Sequence, residues 1–70
     1  MNRRELRKSD IETIATFANN DMSITHTAYA MGKDYSTIAR RLERVYCITR
    51  LNPRKFWELV ELLKRTDAMP

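Results

Sequence analysis

Residues Thr27–Leu42 read TAYAMGKDYSTIARRL and hold the one glycine of a 70-residue chain. A lone glycine is expected where the backbone must turn left-handed, because a Cβ is costly there. The pattern on both sides of Gly32 is helical. Ser23 offers a side-chain oxygen to cap a short helix from Ile24 to Met31, which Gly32 stops. Asp34 caps the next helix, Tyr35 to about Ile48, with Thr37 in its first turn. Ile38, Leu42, Val45 and Thr49 fall on one stripe of that second helix.

Upstream, SDIETIATFANN places Ile11, Ile14, Ala15 and Ala18 at helical spacing, with Phe17 flanking. Ser9 or Asp10 caps this helix, Glu12 suits its first turn, and Asn-Asn-Asp ends it. Before it, Arg3, Arg4, Arg7 and Lys8 make a basic arm over 1–8, which either extends the helix or frays. Downstream, Pro53 suits the first position of a helix over 53–65, with Asn52 as its cap. Phe56, Leu59, Val60 and Leu63 form its apolar face, and Glu61 with Arg65 is an i, i+4 pair in the favourable order. The fold class that follows is all-α: a small bundle of about four helices, one domain over 1–70, with its paired central helices at 24–48.

The composition, 43% hydrophobic and 31% charged, is that of a compact helix-rich domain. No apolar run approaches the ~20 residues of a membrane span. No apolar segment follows the basic start as a secretory signal requires, so a cytoplasmic, nucleoid-associated protein without membrane contact is expected. Cys47 and His26 each stand alone, which excludes an internal disulfide and leaves no metal or cofactor site. Cys47 is expected as a small buried or half-buried residue and His26 as a surface one. Without paired carboxylates, metal ligands or a phosphate loop, the chain is not expected to be an enzyme. The net charge of +4 favours an anionic partner if it gathers on one face.

Two short helices joined at a glycine meet the steric demands of a helix–turn–helix. Ala28 is the small residue at the close crossing, Met31 points to the core, and Ile38 and Leu42 seat the second helix. Thr27–Ala28, Met31–Gly32, Ser36, Ile38 and Leu42 resemble the pattern of phage repressor and Cro-type proteins. From Ser23 to Leu63 the chain also resembles the C-terminal helix–turn–helix domain of PucR-type bacterial transcription regulators, itself similar to the Fis type. SITHTAYAM, STIARRLERV and ITRLNP carry that resemblance. Lys33 stands where both patterns prefer an apolar residue, so its stem should lie on the core. Asp34 and Tyr35 replace basic or polar residues, and Arg50 replaces a glycine after the third helix. A left-handed Arg50 would cost on the order of 1 kcal/mol and suits a phosphate contact. PucR-type regulators carry this domain at the end of a longer chain with sensing domains, whereas no small-molecule effector pocket is apparent here.

The resemblance implies double-stranded DNA as the partner, with the second helix of the motif in the major groove. Tyr35, Ser36, Ala39 and Arg40 then face base edges; Arg40 is suited to guanine and Ala39 to a thymine methyl. Ser23, Thr25, Lys33, Thr37, Arg41 and Arg44, together with Arg3 and Arg4 of the arm, are expected on the phosphate backbone. A monomer reads few base pairs, so a homodimer is expected, with Phe56, Trp57 and Val60 on its surface. Tyr46, Phe56 and Trp57 are read as core or dimer contacts. Two other functions fit the residues: a module that binds a repressor or polymerase subunit, and an architectural or recombination accessory protein.

Overall fold

A computed structural model describes residues 5–67 of the chain. Among the described residues there are four helices and no strand: α1 (Lys8–Asn19), α2 (Ile24–Met31), α3 (Tyr35–Thr49) and α4 (Phe56–Thr66). α1 is the hub, packing against all three others; α2 also packs on α3, whereas α4 reaches the bundle through α1. The core joins Ile14 and Phe17 of α1, Ile24 and Ala28 of α2, Ile38, Leu42 and Val45 of α3, and Leu59, Leu62 and Leu63 of α4.

The first helix starts earlier than expected and turns a different face inward. Its N-cap is Arg7, so neither Ser9 nor Asp10 caps it, and Arg7 and Lys8 belong to the helix start rather than to an arm. Asp10 works from the third helical position, where one carboxylate oxygen accepts the Arg7 N–H at 2.9 Å. The buried stripe is Asp10, Thr13, Ile14 and Phe17, while Ile11, Ala15 and Ala18 are only half-buried. Positions 10, 13, 14 and 17 have the same helical spacing as the expected set. Two polar members conceal the pattern. Phe17 has far more apolar surface to remove from water than either alanine, and Asp10 and Thr13 enter the interior with hydrogen-bond partners.

The turns follow the local chemistry closely. Asp21 and Met22 both have positive φ after α1, and the Met22 N–H returns to the Phe17 carbonyl at 2.9 Å. The Ser23 hydroxyl oxygen caps α2 by accepting the His26 N–H at 3.2 Å. Gly32 closes α2 at φ 66°, and the Lys33 N–H bonds back to Ala28 O at 2.9 Å. A Cβ on Gly32 would meet nothing within 4 Å, so its reason is conformational rather than a shortage of room.

Asp34 caps α3 by accepting the Thr37 N–H at 3.0 Å. The helix runs to Thr49, and Arg50 ends it in the left-handed region at φ 65°, where glycine is the residue without steric cost. α4 begins at Phe56, not Pro53. Asn52 does cap, but it caps a turn: its side-chain oxygen accepts the Arg54 N–H at 2.9 Å, and Pro53 is buried there. Glu58 then reaches back to accept the Asn52 N–H at 2.6 Å, tying the turn to the helix. The inward stripe of α4 is Leu59, Leu62 and Leu63. Phe56 lies exposed at the first helical position and Val60 half-buried, because Leu62 turns the inward stripe away from Val60.

Candidate nucleic-acid interface

Within the α2–turn–α3 unit, α3 is fixed by one buried stripe packed on α1 and α2. Ile38, Leu42 and Val45 are buried to 1% exposure or less, so α3 cannot rotate without opening the core. That orientation leaves Tyr35, Ser36, Arg40 and Glu43 exposed together on its outer side. Ala39, expected beside them at base edges, is half-buried and packs against the core, since its small side chain lies between the two faces. Thr37 is half-buried in the first turn. Hydrogen bonds from Thr37, by side chain and then backbone, hold the Asp34 carboxyl below the usual carboxylate range, and the positive charge of Arg40 adds to this.

The remaining expected contacts fall into distinct groups. Ser23 and Thr25 lie at the start of α2, with the Ser23 hydroxyl engaged in capping. Lys33 is exposed in the turn, directly after the left-handed Gly32. Arg3 and Arg4 lie outside the described residues.

Arg41 and Arg44 point toward α1 rather than straight to solvent. The Arg41 guanidinium donates to Thr13 Oγ1 at 3.2 Å, and the Thr13 hydroxyl in turn donates a hydrogen bond to the Ser9 carbonyl at 2.7 Å. Arg44 Nε donates to Asp10 Oδ2 at 3.1 Å, an ion pair in which the carboxylate side chain is 2% and the arginine side chain 32% exposed. Between α1 and α3, Asp10, Arg41 and Arg44 line an open cleft of about 450 Å³ that also includes Arg7, Ser9, Thr37 and Arg40. The role of Asp10 was legible in principle, because it shares the helical stripe of Ile14 and Phe17. An acidic residue on an apolar stripe signals a buried partner, and the partner is one of the arginines.

With both ends of the motif and its exposed face defined, comparison with known families is decisive. The model of the PucR C-terminal helix-turn-helix domain matches residues 11–64. The chain belongs to this family. The PucR-type match spans α2 and α3 whole, most of α1, and α4 up to Lys64. Membership in a helix–turn–helix family sets DNA binding and transcription regulation as the broad class of function. No curated protein and no solved structure matches the chain. Among the described residues of this PucR-type domain, no helix is long and apolar enough to cross a membrane.

The expectation for Cys47 needs correction, and that for Tyr46, Phe56 and Trp57, core or dimer contacts, loses its first alternative. Cys47 is exposed, because it lies two residues past Val45, on the side of α3 opposite the buried stripe. Tyr46, Phe56 and Trp57 are not core residues; all three are exposed, Trp57 at 78%. Phe56 and Trp57 meet edge to face with ring centroids 4.9 Å apart. His26 is at the surface, as expected.

Proposed function

We propose that this PucR-type domain binds double-stranded DNA sequence-specifically, as a small bacterial or phage-type transcriptional regulator that inserts α3 into the major groove. The observation that carries the reading is the single exposed face of α3, where Tyr35, Ser36 and Arg40 stand together on the second helix of the motif. Arg40 carries the fork that matches guanine, and Tyr35 and Ser36 stand in the turn that enters a groove first. Ser23, Thr25, Lys33 and Thr37 surround that face as backbone contacts, and Arg50 extends them from the end of α3. The chain acts by binding, without catalysis, in the compartment that holds the chromosome.

A homodimer on a two-fold site completes the proposal. Phe56 and Trp57 give α4 an exposed aromatic pair, with Val60 half-buried one turn on. Such residues are enriched where subunits meet. The same pair favours one alternative, a module that binds another protein through α4. Selection from a random duplex library, followed by gel shift of the winner across a salt series, separates the two. The DNA reading predicts a palindromic winner and log-affinity falling steeply with log salt. Protein association insensitive to salt, with no duplex shifted, would support the module instead.

A further inference from the structure

The cleft between the first turn of α1 and the middle of α3 is lined mainly by charged residues. Its lining brings four arginines together with a serine, a threonine and one aspartate, and includes no apolar or aromatic side chain. With arginine stems as its apolar part and no aliphatic or aromatic side chain, it offers no stacking platform for a base or a drug-like ligand, which are held mainly by such contacts. It is suited to the charged part of a polyanion. Guanidinium groups are the donors that match phosphate oxygens two at a time.

We infer that this cleft seats a phosphodiester of the DNA backbone, and that Asp10 and Thr13 are positioning residues that aim Arg44 and Arg41 into it. The inference rests on the DNA-binding reading and deepens it. Thr37 and Arg40 line the cleft and also belong to or border the exposed face of α3. A duplex whose groove receives that face therefore brings a flanking strand to the cleft. Each tether to α1 engages one of the five N–H donors of its guanidinium and fixes the plane of the fork. A fork held in place loses less conformational freedom on binding than a free surface arginine does. The Asp10 carboxylate also lines the cleft and opposes an anion, but Arg44 Nε and the Arg7 N–H both cover its Oδ2. Glu43 and Asp34 are the acidic groups bordering the same stretch of α3.

The test uses the full chain and a duplex obtained by selection, with methylphosphonate replacing one phosphate at a time along each strand. Wild-type protein is expected to lose about tenfold in affinity at one flanking phosphate per half-site, consistent with loss of a hydrogen bond to a charged group. In Arg7→Ala and Arg41→Ala that position should no longer be sensitive, and the salt slope should fall by about one, with base preference retained. Arg7 is exposed and donates only its backbone N–H to Asp10, so its variant keeps the fold even if Arg41→Ala does not.

Asp10→Asn gives the sharpest contrast, measured well below its melting temperature. Removing a negative charge from a basic cleft strengthens binding if only the field matters; a positioning role predicts weaker binding and a flattened phosphate map. Duplex binding with maps and slopes unchanged in all three variants would overturn the inference and leave the DNA reading standing. A chain that shifts no duplex would refute both. If inorganic phosphate at millimolar concentration shifted the arginine Nε resonances while bound duplex did not, the seat would serve a free anion and the phosphodiester assignment would fail.

Discussion

Removing the Asp10 side chain tests how α3 is held. In Asp10→Ala, the Arg7 N–H loses its acceptor and Arg44 loses its ion-pair partner. Breaking a fully buried pair from one side costs about 3–5 kcal/mol, because a charge is left buried. Arg44 is not fully buried. Its side chain is 32% exposed and can turn toward water, which places the expected loss lower, at about 2–3 kcal/mol. For a domain of this size that is a fall in Tm of about 10–20 °C. Arg44→Ala strands the more deeply buried partner and should cost at least as much. Thermal melts followed by far-ultraviolet circular dichroism, completed with the double variant, give the coupling. The two single losses should exceed the double loss by more than about 1 kcal/mol. Additive losses, or Asp10→Ala melting within about 2 °C of wild type, would show that the pair does not fasten α3 to α1.

Other outcomes follow from the same structure. Gly32→Ala meets no steric obstacle but must adopt φ 66°, so it should lose about 1 kcal/mol in chemical denaturation. Arg50→Gly, at φ 65°, should raise Tm by about 2–4 °C, the relief of left-handed strain being partly offset by a more flexible unfolded chain. Asp34 has its pKa lowered in the folded state, so its contribution is whole above the unfolded value of ~3.9 and is lost as pH falls through the lower folded value. Acid titration of Asp34→Asn against wild type should therefore show a stability gap at neutral pH that closes in that window. Trp57→Ala, which removes a side chain 78% exposed, should leave the monomer's denaturation midpoint unchanged while shifting sedimentation toward monomer if α4 joins two copies.

The helix–turn–helix was legible because its demands are local. A cap at Ser23, a left-handed residue at Gly32, a cap at Asp34 and a three-residue apolar stripe each occupy fixed positions, and all stand as read. The flanking helices were less legible. α1 hides its inner stripe behind Asp10 and Thr13, whose place in the core depends on arginines some thirty residues away. α4 depends on whether Asn52–Pro53 opens a helix or closes a turn, and the choice rests on the buried proline and the reach of Glu58. At the candidate site, the exposure of Tyr35, Ser36 and Arg40 was readable from periodicity alone. Ala39 was not, because a residue on the edge between two faces is assigned by packing. The roles of Arg41 and Arg44 were hidden in the same way: a charged side chain on a helix does not reveal whether a carboxylate awaits it.

Competition binding of wild type and Arg40→Ala to the selected duplex, alongside a scrambled duplex at the same salt, tests the central claim most directly. Arg40 stands exposed on the face of α3 assigned to the groove. Its truncation should weaken binding to the selected sequence by about 5–150-fold, equivalent to about 1–3 kcal/mol, and should change binding to the scrambled sequence far less. An unchanged ratio between the two duplexes would mean that α3 does not read bases and that DNA recognition lies elsewhere on the domain.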